Sequence, residues 1–255
     1  MHSSFPNKVT AVVLAGGGPD DPLAQAAGVS AKALVPVAGR PLAAHVLTAL
    51  RDSDAVARTI LVGPESPAFE GLSDVTIQGG RLFSDSVALG LGAALALGGH
   101  SRILLCTADL PWLTGAAIDR FVAAGGADLN YPVIPAEAAM AAFPEQKRTF
   151  VKLRQGRFTG GNLALLNARI VPDVLLLADR FFRARKNPLA LSALFGIETV
   201  LALLRGRADI TRLEERLSAL LGASVQAVIT PDASLGADLD RPDQLTGALA
   251  SASGK

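Results

Sequence analysis

Four stretches of this chain combine residue types that can handle a polyanion and a divalent cation. Leu14-Ala15-Gly16-Gly17-Gly18 ends an apolar run, and its glycines let backbone N–H groups approach an anion with no Cβ in the way. No Gly-Lys-Ser/Thr follows and the spacing is not G-x-G-x-x-G, so it is neither a P-loop nor a dinucleotide fingerprint. A tight turn after a strand is the other reading of the same residues. Lys32 is embedded in Ser30-Ala31-Lys32-Ala33-Leu34-Val35, among small and apolar neighbours where a solvated lysine would have polar ones. An ammonium held there would offset charge developing on a phosphate chain. Asp109 directly follows the apolar run Ile103-Leu104-Leu105-Cys106, with Pro111 restricting the chain after it. A carboxylate at the rim of a buried strand suits Mg²⁺, which takes few protein ligands and draws the rest from phosphate and water. Finally, Asp238-Leu239-Asp240 offers two carboxylates on one side of an extended segment. Either one serves a shared metal, and Arg241-Pro242-Asp243 after them also reads as a helix start, which makes a capping role the alternative.

Two further groups bear on a second substrate. Gly160-Gly161-Asn162 interrupts a strand-like stretch, so Asn162 can present its amide to a ligand, or the glycines can form a simple bulge. Lys147, Arg148, Lys152 and Arg154, then Arg180, Arg183, Arg185 and Lys186, flank it and can receive an anion or stand as a solvated charged face.

The elements that must position these groups follow from periodicity. Val9 to Ala15, Thr59 to Val62, Asp74 to Ile77 and Ile103 to Cys106 are short apolar runs ended by glycine or polar residues, the pattern of strands buried on both faces. Helical patterns lie between them, at Pro41 to Arg51, Ser84 to Leu97 and Thr114 to Ala124. This alternation predicts an α/β fold with a largely parallel sheet, whose strand C-termini are where such sheets place ligands. Asn130 to Pro135, Arg157 to Leu166 and Ser224 to Thr230 read as further strands. Residues 168–221 are almost wholly helical in pattern, an insertion or lid shaping an acceptor pocket, or else a dimer-packing surface. Within it, Pro188 to Leu204 reads as a buried or interfacial helix.

In this order, Leu14-Ala15-Gly16-Gly17, Lys32, Ala108-Asp109-Leu110-Pro111 and Asp238-Leu239-Asp240-Arg241-Pro242-Asp243 resemble the nucleotidyltransferase superfamily. That group includes molybdenum-cofactor guanylyltransferase, the sugar-phosphate nucleotidylyltransferases and the cytidylyltransferase of the methylerythritol phosphate pathway. The resemblance implies a Rossmann-like three-layer sandwich with a mostly parallel mixed sheet, residues 1–255 forming one domain with the helical insertion at about 168–221. It also implies in-line attack of an anionic small-molecule acceptor on the α-phosphorus of an NTP, with release of pyrophosphate. On this carry-over Leu14, Ala15, Gly16 and Gly17 contact the nucleotide, Lys32 stabilises its phosphates, and Asp109 with Asp240 or Asp238 holds Mg²⁺. Gly80 and Ser86, in Gly79-Gly80-Arg81-Leu82-Phe83-Ser84-Asp85-Ser86, match a base-reading segment, with Ser84 or Ser86 as a helix cap the competing reading. Gly161, Asn162 and Lys186 fall on the acceptor side. Two departures stand out: no arginine follows the glycine loop, and Asp238-Leu239-Asp240 replaces a lysine-containing segment of the methylerythritol-pathway enzyme. A glycosyltransferase of related fold would want Asp-x-Asp after the fourth strand, where Ala108-Asp109-Leu110 offers one carboxylate. A non-catalytic nucleotide-binding regulator is the other alternative.

Composition bounds the partners. With 24 basic and 23 acidic side chains, no global field favours nucleic acid or an anionic membrane, so any polyanion must be held locally. The single cysteine, Cys106, excludes an intramolecular disulfide and reads as a buried strand thiol in a reducing compartment. The N-terminus lacks a signal-peptide pattern. A cytoplasmic enzyme, with a homodimer as one possible assembly, is the expectation.

Overall fold

The structure, a computed structural model, describes residues 8–184 and 196–244. Strand β1 (Val9–Leu14) is buried along its whole length. Its alternating side chains face two different layers, as the pleat requires. Val9, Ala11 and Val13 join a cluster with Leu47, Leu50, Ile118 and Phe121, whereas Val12 and Leu14 pack with Val87 and Leu91 on the opposite face. This division makes the fold a three-layer α/β sandwich.

After the glycine loop the chain forms the short helix α1 (Pro22–Ala27), started by the Asp21 carboxylate, which accepts from the N–H groups of Leu23 and Ala24, and stopped by Gly28 at φ 67°. A 3₁₀ turn at Lys32–Leu34 and a two-rung ribbon, β2 (Pro36–Val37) and β3 (Arg40–Pro41), lead into α2 (Leu42–Arg51). Then come β4 (Val56–Val62), β5 (Val75–Ile77), α3 (Phe83–Leu97), β6 (Arg102–Thr107) and α4 (Gly115–Ala124). Strands β4 and β6 flank β1, both parallel to it, and β5 lies parallel outside β4. Strands β1, β4, β5 and β6 and helices α2, α3 and α4 fall where the periodicity predicted them, with ends differing by a residue or a few, whereas α1 and the β2–β3 ribbon carried no such signal.

The second half completes a mixed sheet. It contains β7 (Leu129–Pro135), α5 (Ala136–Ala142), β8 (Val151–Leu153), β9 (Gly156–Gly160), β10 (Leu163–Asn167), α6 (Val171–Ala184), α7 (Ile197–Leu204), α8 (Ile210–Leu221) and β11 (Val225–Ile229). Strand β10 runs antiparallel between β6 and β7, while β11 lies parallel along β7. The stretch expected as one strand from Arg157 to Leu166 is two. Strand β9 pairs with the C-terminal half of β7 and β10 with its start, and the line breaks at Gly161-Asn162. Helix α5 was not legible as a helix, because Ala136 to Ala142 is too short and too uniformly small to show a period.

The helices between β10 and β11 pack against the sheet rather than over its ligand-binding edge. Ile170 just before α6, with Val171 and Val174 at its start, joins the cluster of Leu91. Ala202 and Leu203 of α7 pack on Leu153 and Phe158 of the β8–β9 hairpin. Of the span Pro188 to Leu204, the part before Gly196 lies outside the described residues. No helix among the described residues is long and apolar enough to cross a membrane.

Candidate active site

The site assembles where β1 and β6 end side by side. Strand pairing continues past β1, with the Ala108 N–H donating to the Leu14 carbonyl at 3.0 Å and that of Ala15 to Val62 at 2.8 Å. Gly16, Gly17 and Gly18 are exposed beyond this point. Gly17 adopts φ +85°, and a Cβ there would sit 2.7 Å from that of Lys32. Its carbonyl accepts from the Lys32 N–H at 2.8 Å. The glycine is therefore required twice, for its positive φ and for the close approach that latches Lys32 onto the loop.

The Lys32 side chain then reaches across the cleft. Its Nζ donates to Asp109 Oδ2 at 2.6 Å and also to Asp240 Oδ1. Lys32 and Asp109 are largely buried, with side chains 12% and 16% exposed, so the pair is only weakly screened by solvent. Burial alone would lower the Lys32 pKa, but the two carboxylates outweigh it and raise it above the ordinary lysine value. Burial likewise works to raise the Asp240 pKa, and the hydrogen bond and charge of Lys32 overcome it, so that carboxyl is held below the usual range. Asp238 has no contact with Lys32; its cation partner is Arg148, at 3.6 Å. Burial, then its hydrogen bond and repulsion with Asp240, push it up to about 6.

Asp240 arrives by backbone pairing. The Leu239 N–H donates to the Asp109 carbonyl at 2.9 Å, which lays the late segment beside the β6 terminus. Residues 242–244 do begin a helical turn, yet the Asp240 side chain does not cap it: the Gln244 side chain accepts from the N–H groups of Asp240 and Arg241. Asp109 is likewise no cap; Thr107 Oγ1 donates to its Oδ1 at 2.5 Å, leaving Oδ2 for Lys32. The sequence reading missed Thr107, although two residues apart on an extended chain places it on the same side as Asp109.

Two cavities flank this junction. One, of about 200 Å³, is lined by Leu14, Gly16, Gly17, Asp21, Lys32, Phe83, Ala108 and Asp109, among others. Ala15 does not face it; it is buried against Gly63, where a Cβ would come within 2.5 Å of its own. Phe83 lines this cavity, whereas Gly80 and Ser86 do not. Neither Ser84 nor Ser86 caps α3. Ser86 Oγ accepts from the Gly80 N–H at 3.0 Å, and Asp85 accepts from Leu82 at the helix start. A side chain on Gly80 would collide with Asp85, so Gly80 is needed for this tight corner.

The second cavity, of about 370 Å³, contains Tyr131, Lys147, Arg148, Gly161, Asn162, Asp238 and Asp240. Asn162 is fixed on both sides, its N–H donating to Leu235 and its carbonyl accepting from Thr107. Gly161 lies so close to Pro132 that a Cβ would come 2.7 Å from its Cγ. The basic candidates divide: Lys147 and Arg148 line this cavity, while Lys152 and Arg154 do not. None of the described residues of 168–221 lines it; those helices are occupied with the sheet and the β8–β9 hairpin. Lys186 and Arg185 lie outside the described residues.

Among the described residues no three histidine, cysteine or acidic groups converge as a metal cage. The arrangement is instead two carboxylates, Asp109 and Asp240, closed on one cation between two cavities.

Comparison with known proteins gives this geometry a lineage. The model of the MobA-like NTP transferase domain matches residues 11–219. A transferase structure from Thermus thermophilus, described as hypothetical, is 38% identical with TM-score 0.83, over 93% of this chain and 99% of that one. The 2-C-methyl-D-erythritol 4-phosphate cytidylyltransferase from Thermus thermophilus shares the fold at 21% identity and TM-score 0.56, covering 96% and 99% of the two chains. A CMP:2-keto-3-deoxy-manno-octonic acid synthetase complexed with CTP does so at 12% identity and TM-score 0.58, covering 97% and 99%. No curated protein matches the sequence closely enough to count as a relative. With most of its length inside the domain model, the chain belongs to the MobA-like NTP transferase family and is a nucleotidyltransferase.

Proposed function

We propose that this nucleotidyltransferase uses Mg²⁺ to transfer a nucleoside monophosphate from an NTP to a small anionic acceptor, releasing pyrophosphate. The observation that carries the reading is the Lys32 ammonium bridging Asp109 and Asp240 at the meeting point of two cavities. The glycine-loop cavity would take the nucleotide, with exposed backbone at Gly16 and Gly17 facing its phosphates. The cavity of Gly161, Asn162 and Arg148 would take the acceptor.

The residues fit Mg²⁺ as a substrate-completed site. Asp109 and Asp240 already share one cation, and Mg²⁺ commonly takes one or two carboxylates with phosphate oxygens supplying the rest. Asp238 is the weaker candidate, since it turns toward Arg148 and Asp240 instead of Lys32. When bound, Mg²⁺ would offset charge on the phosphate chain. Lys32, released from at least one carboxylate as phosphates enter, then holds its ammonium on the α-phosphate oxygens or the departing pyrophosphate. No covalent nucleophile is needed; positioning and charge neutralisation supply the acceleration.

The test follows nucleotide binding by thermal shift with each of the four NTPs, with and without Mg²⁺, in wild type and Asp109→Asn. A Mg²⁺-dependent shift with one NTP, absent in the variant, is expected, followed by pyrophosphate release in an acceptor screen reduced roughly 10²–10³-fold by the substitution. Binding indifferent to metal and to Asp109 would overturn the reading. Nucleotide binding without pyrophosphate release across acceptors would favour a regulator.

A further inference from the structure

Arg148 is out of keeping with its surroundings. It belongs to the loop between α5 and β8, yet its side chain is only 7% exposed and lines the second cavity. Its sole charge partner among the described residues, Asp238, is 3.6 Å from Nη2, too far for a good hydrogen bond. Its Nη1 is buried and has no hydrogen-bond partner among the described residues. Beside it, Gln146 donates through Nε2 to the Asp238 carbonyl at 3.2 Å, and its Oε1 is also buried and unpartnered. Room for the guanidinium is made by Gly236, where a Cβ would lie 2.9 Å from Nη2. A buried, incompletely paired guanidinium costs stability unless something completes it. Arg148 is thus an incompletely paired guanidinium built into the wall of this cavity.

The place of Arg148 relative to the reacting centre is informative. A chain of contacts runs from Arg148 to Asp238, to Asp240, to Lys32, to Asp109. Two carboxylates thus separate the Arg148 guanidinium from the ammonium at which the reacting phosphate would lie. An anion on Arg148 is therefore not the group that attacks.

We infer that Arg148 is an anchor for a second, non-reacting oxyanion of the acceptor. The inference rests on the acceptor cavity assigned above. It makes the acceptor two-headed: a nucleophilic end directed at Lys32 and Asp240, and a phosphate or carboxylate held at Arg148. A guanidinium edge binds either anion through its N–H donors.

Calorimetric titration of inorganic phosphate, and separately of acetate, into wild type, Arg148→Lys, Arg148→Gln and Arg148→Met tests this. Wild type is expected to bind an oxyanion that Arg148→Gln and Arg148→Met bind at least tenfold more weakly, with Arg148→Lys in between. The tighter of the two probes names the anchored group. Any phosphate taken up by the glycine loop appears equally in all four proteins and cancels in the comparison. Superimposable isotherms across the four would overturn the inference. Thermal unfolding without ligand supplies the second readout. Arg148→Met is expected to melt at the wild-type temperature or above it, as for a residue kept for binding at the expense of stability. A fall of several degrees would make Arg148 a structural residue and also overturn the inference. NTP-induced shifts on the same proteins keep the two readings apart: loss of NTP binding in wild type sinks nucleotidyl transfer, whereas retained NTP binding with Arg148-independent oxyanion binding sinks only the anchor.

Discussion

At the residue scale, the working groups are held by neighbours that do no chemistry themselves. Thr107 donates to one oxygen of Asp109 and leaves the other for Lys32, so the carboxylate has a single useful orientation. Thr107→Val keeps shape and burial but removes that donor. It is expected to weaken Mg²⁺-dependent nucleotide binding about 10–100-fold, as loss of a partner behind a metal ligand commonly does. Gly17→Ala acts on the other side of the cleft. A left-handed non-glycine residue costs about 1–3 kcal/mol, and here the methyl would also press on Lys32 Cβ. A lowered melting temperature together with a larger loss of turnover is expected. Turnover unchanged in Gly17→Ala would mean that the Gly17–Lys32 latch is not what positions the ammonium.

At the element scale, α3 tests how tightly a helix is seated on the central strands. Gly90 faces the sheet, where a Cβ would collide with Val12 and come 2.9 Å from Val62 Cγ2. Gly92, two residues on, has nothing within 4 Å of the same position. Alanine raises helix propensity by about 1 kcal/mol at either site. Gly92→Ala is therefore expected to stabilise by up to about 1 kcal/mol. Gly90→Ala loses about 1–3 kcal/mol to overpacking, which exceeds the propensity gain. Chemical denaturation of both variants reads the difference directly, and equal effects would contradict the close seating of α3. Because α3 starts at the corner of Gly80 and Asp85 and carries Phe83 into the first cavity, Gly90→Ala should also shift NTP affinity while Gly92→Ala leaves it alone.

At the scale of the whole molecule, Cys106 reports on the sheet. It lies at the centre, between β1 and β10, and is 1% exposed. Burial, with a smaller contribution from the Asp109 charge, pushes its thiol up to about 12 from 9.0. A thiol reagent at pH 8 should leave it unmodified in the native protein and react once the chain is globally unfolded, since no local opening of an edge reaches a central strand. The sign of the linkage follows. The folded state keeps its proton while the unfolded chain releases it, so the contribution is fully present below pH 9 and is lost as pH rises toward 12, by at most about 1.4 kcal/mol per pH unit. Rapid modification under native conditions would show that the centre of the sheet opens far more readily than its packing implies.

By itself the sequence determined the parts that depend on local pattern. Apolar runs ending in glycine or aspartate located the strands and the rim, since a strand buried on both faces admits few other residues. The same pattern singled out Gly17 and Asp109, because unusual residues at strand ends have few packing reasons to be there, and Lys32 stood out as a charge among small and apolar neighbours. Only the tertiary structure decided which late aspartate meets Lys32, since that depends on Leu239 pairing with the Asp109 carbonyl across the whole chain. It also decided that the strand through Gly161 is broken, that the described helices of 168–221 lie away from the cleft, and that Arg148 alone of its basic neighbours is buried in a cavity with an open donor. Burial and non-local pairing are properties of what a residue is packed against, and a run of basic residues in sequence does not carry that information.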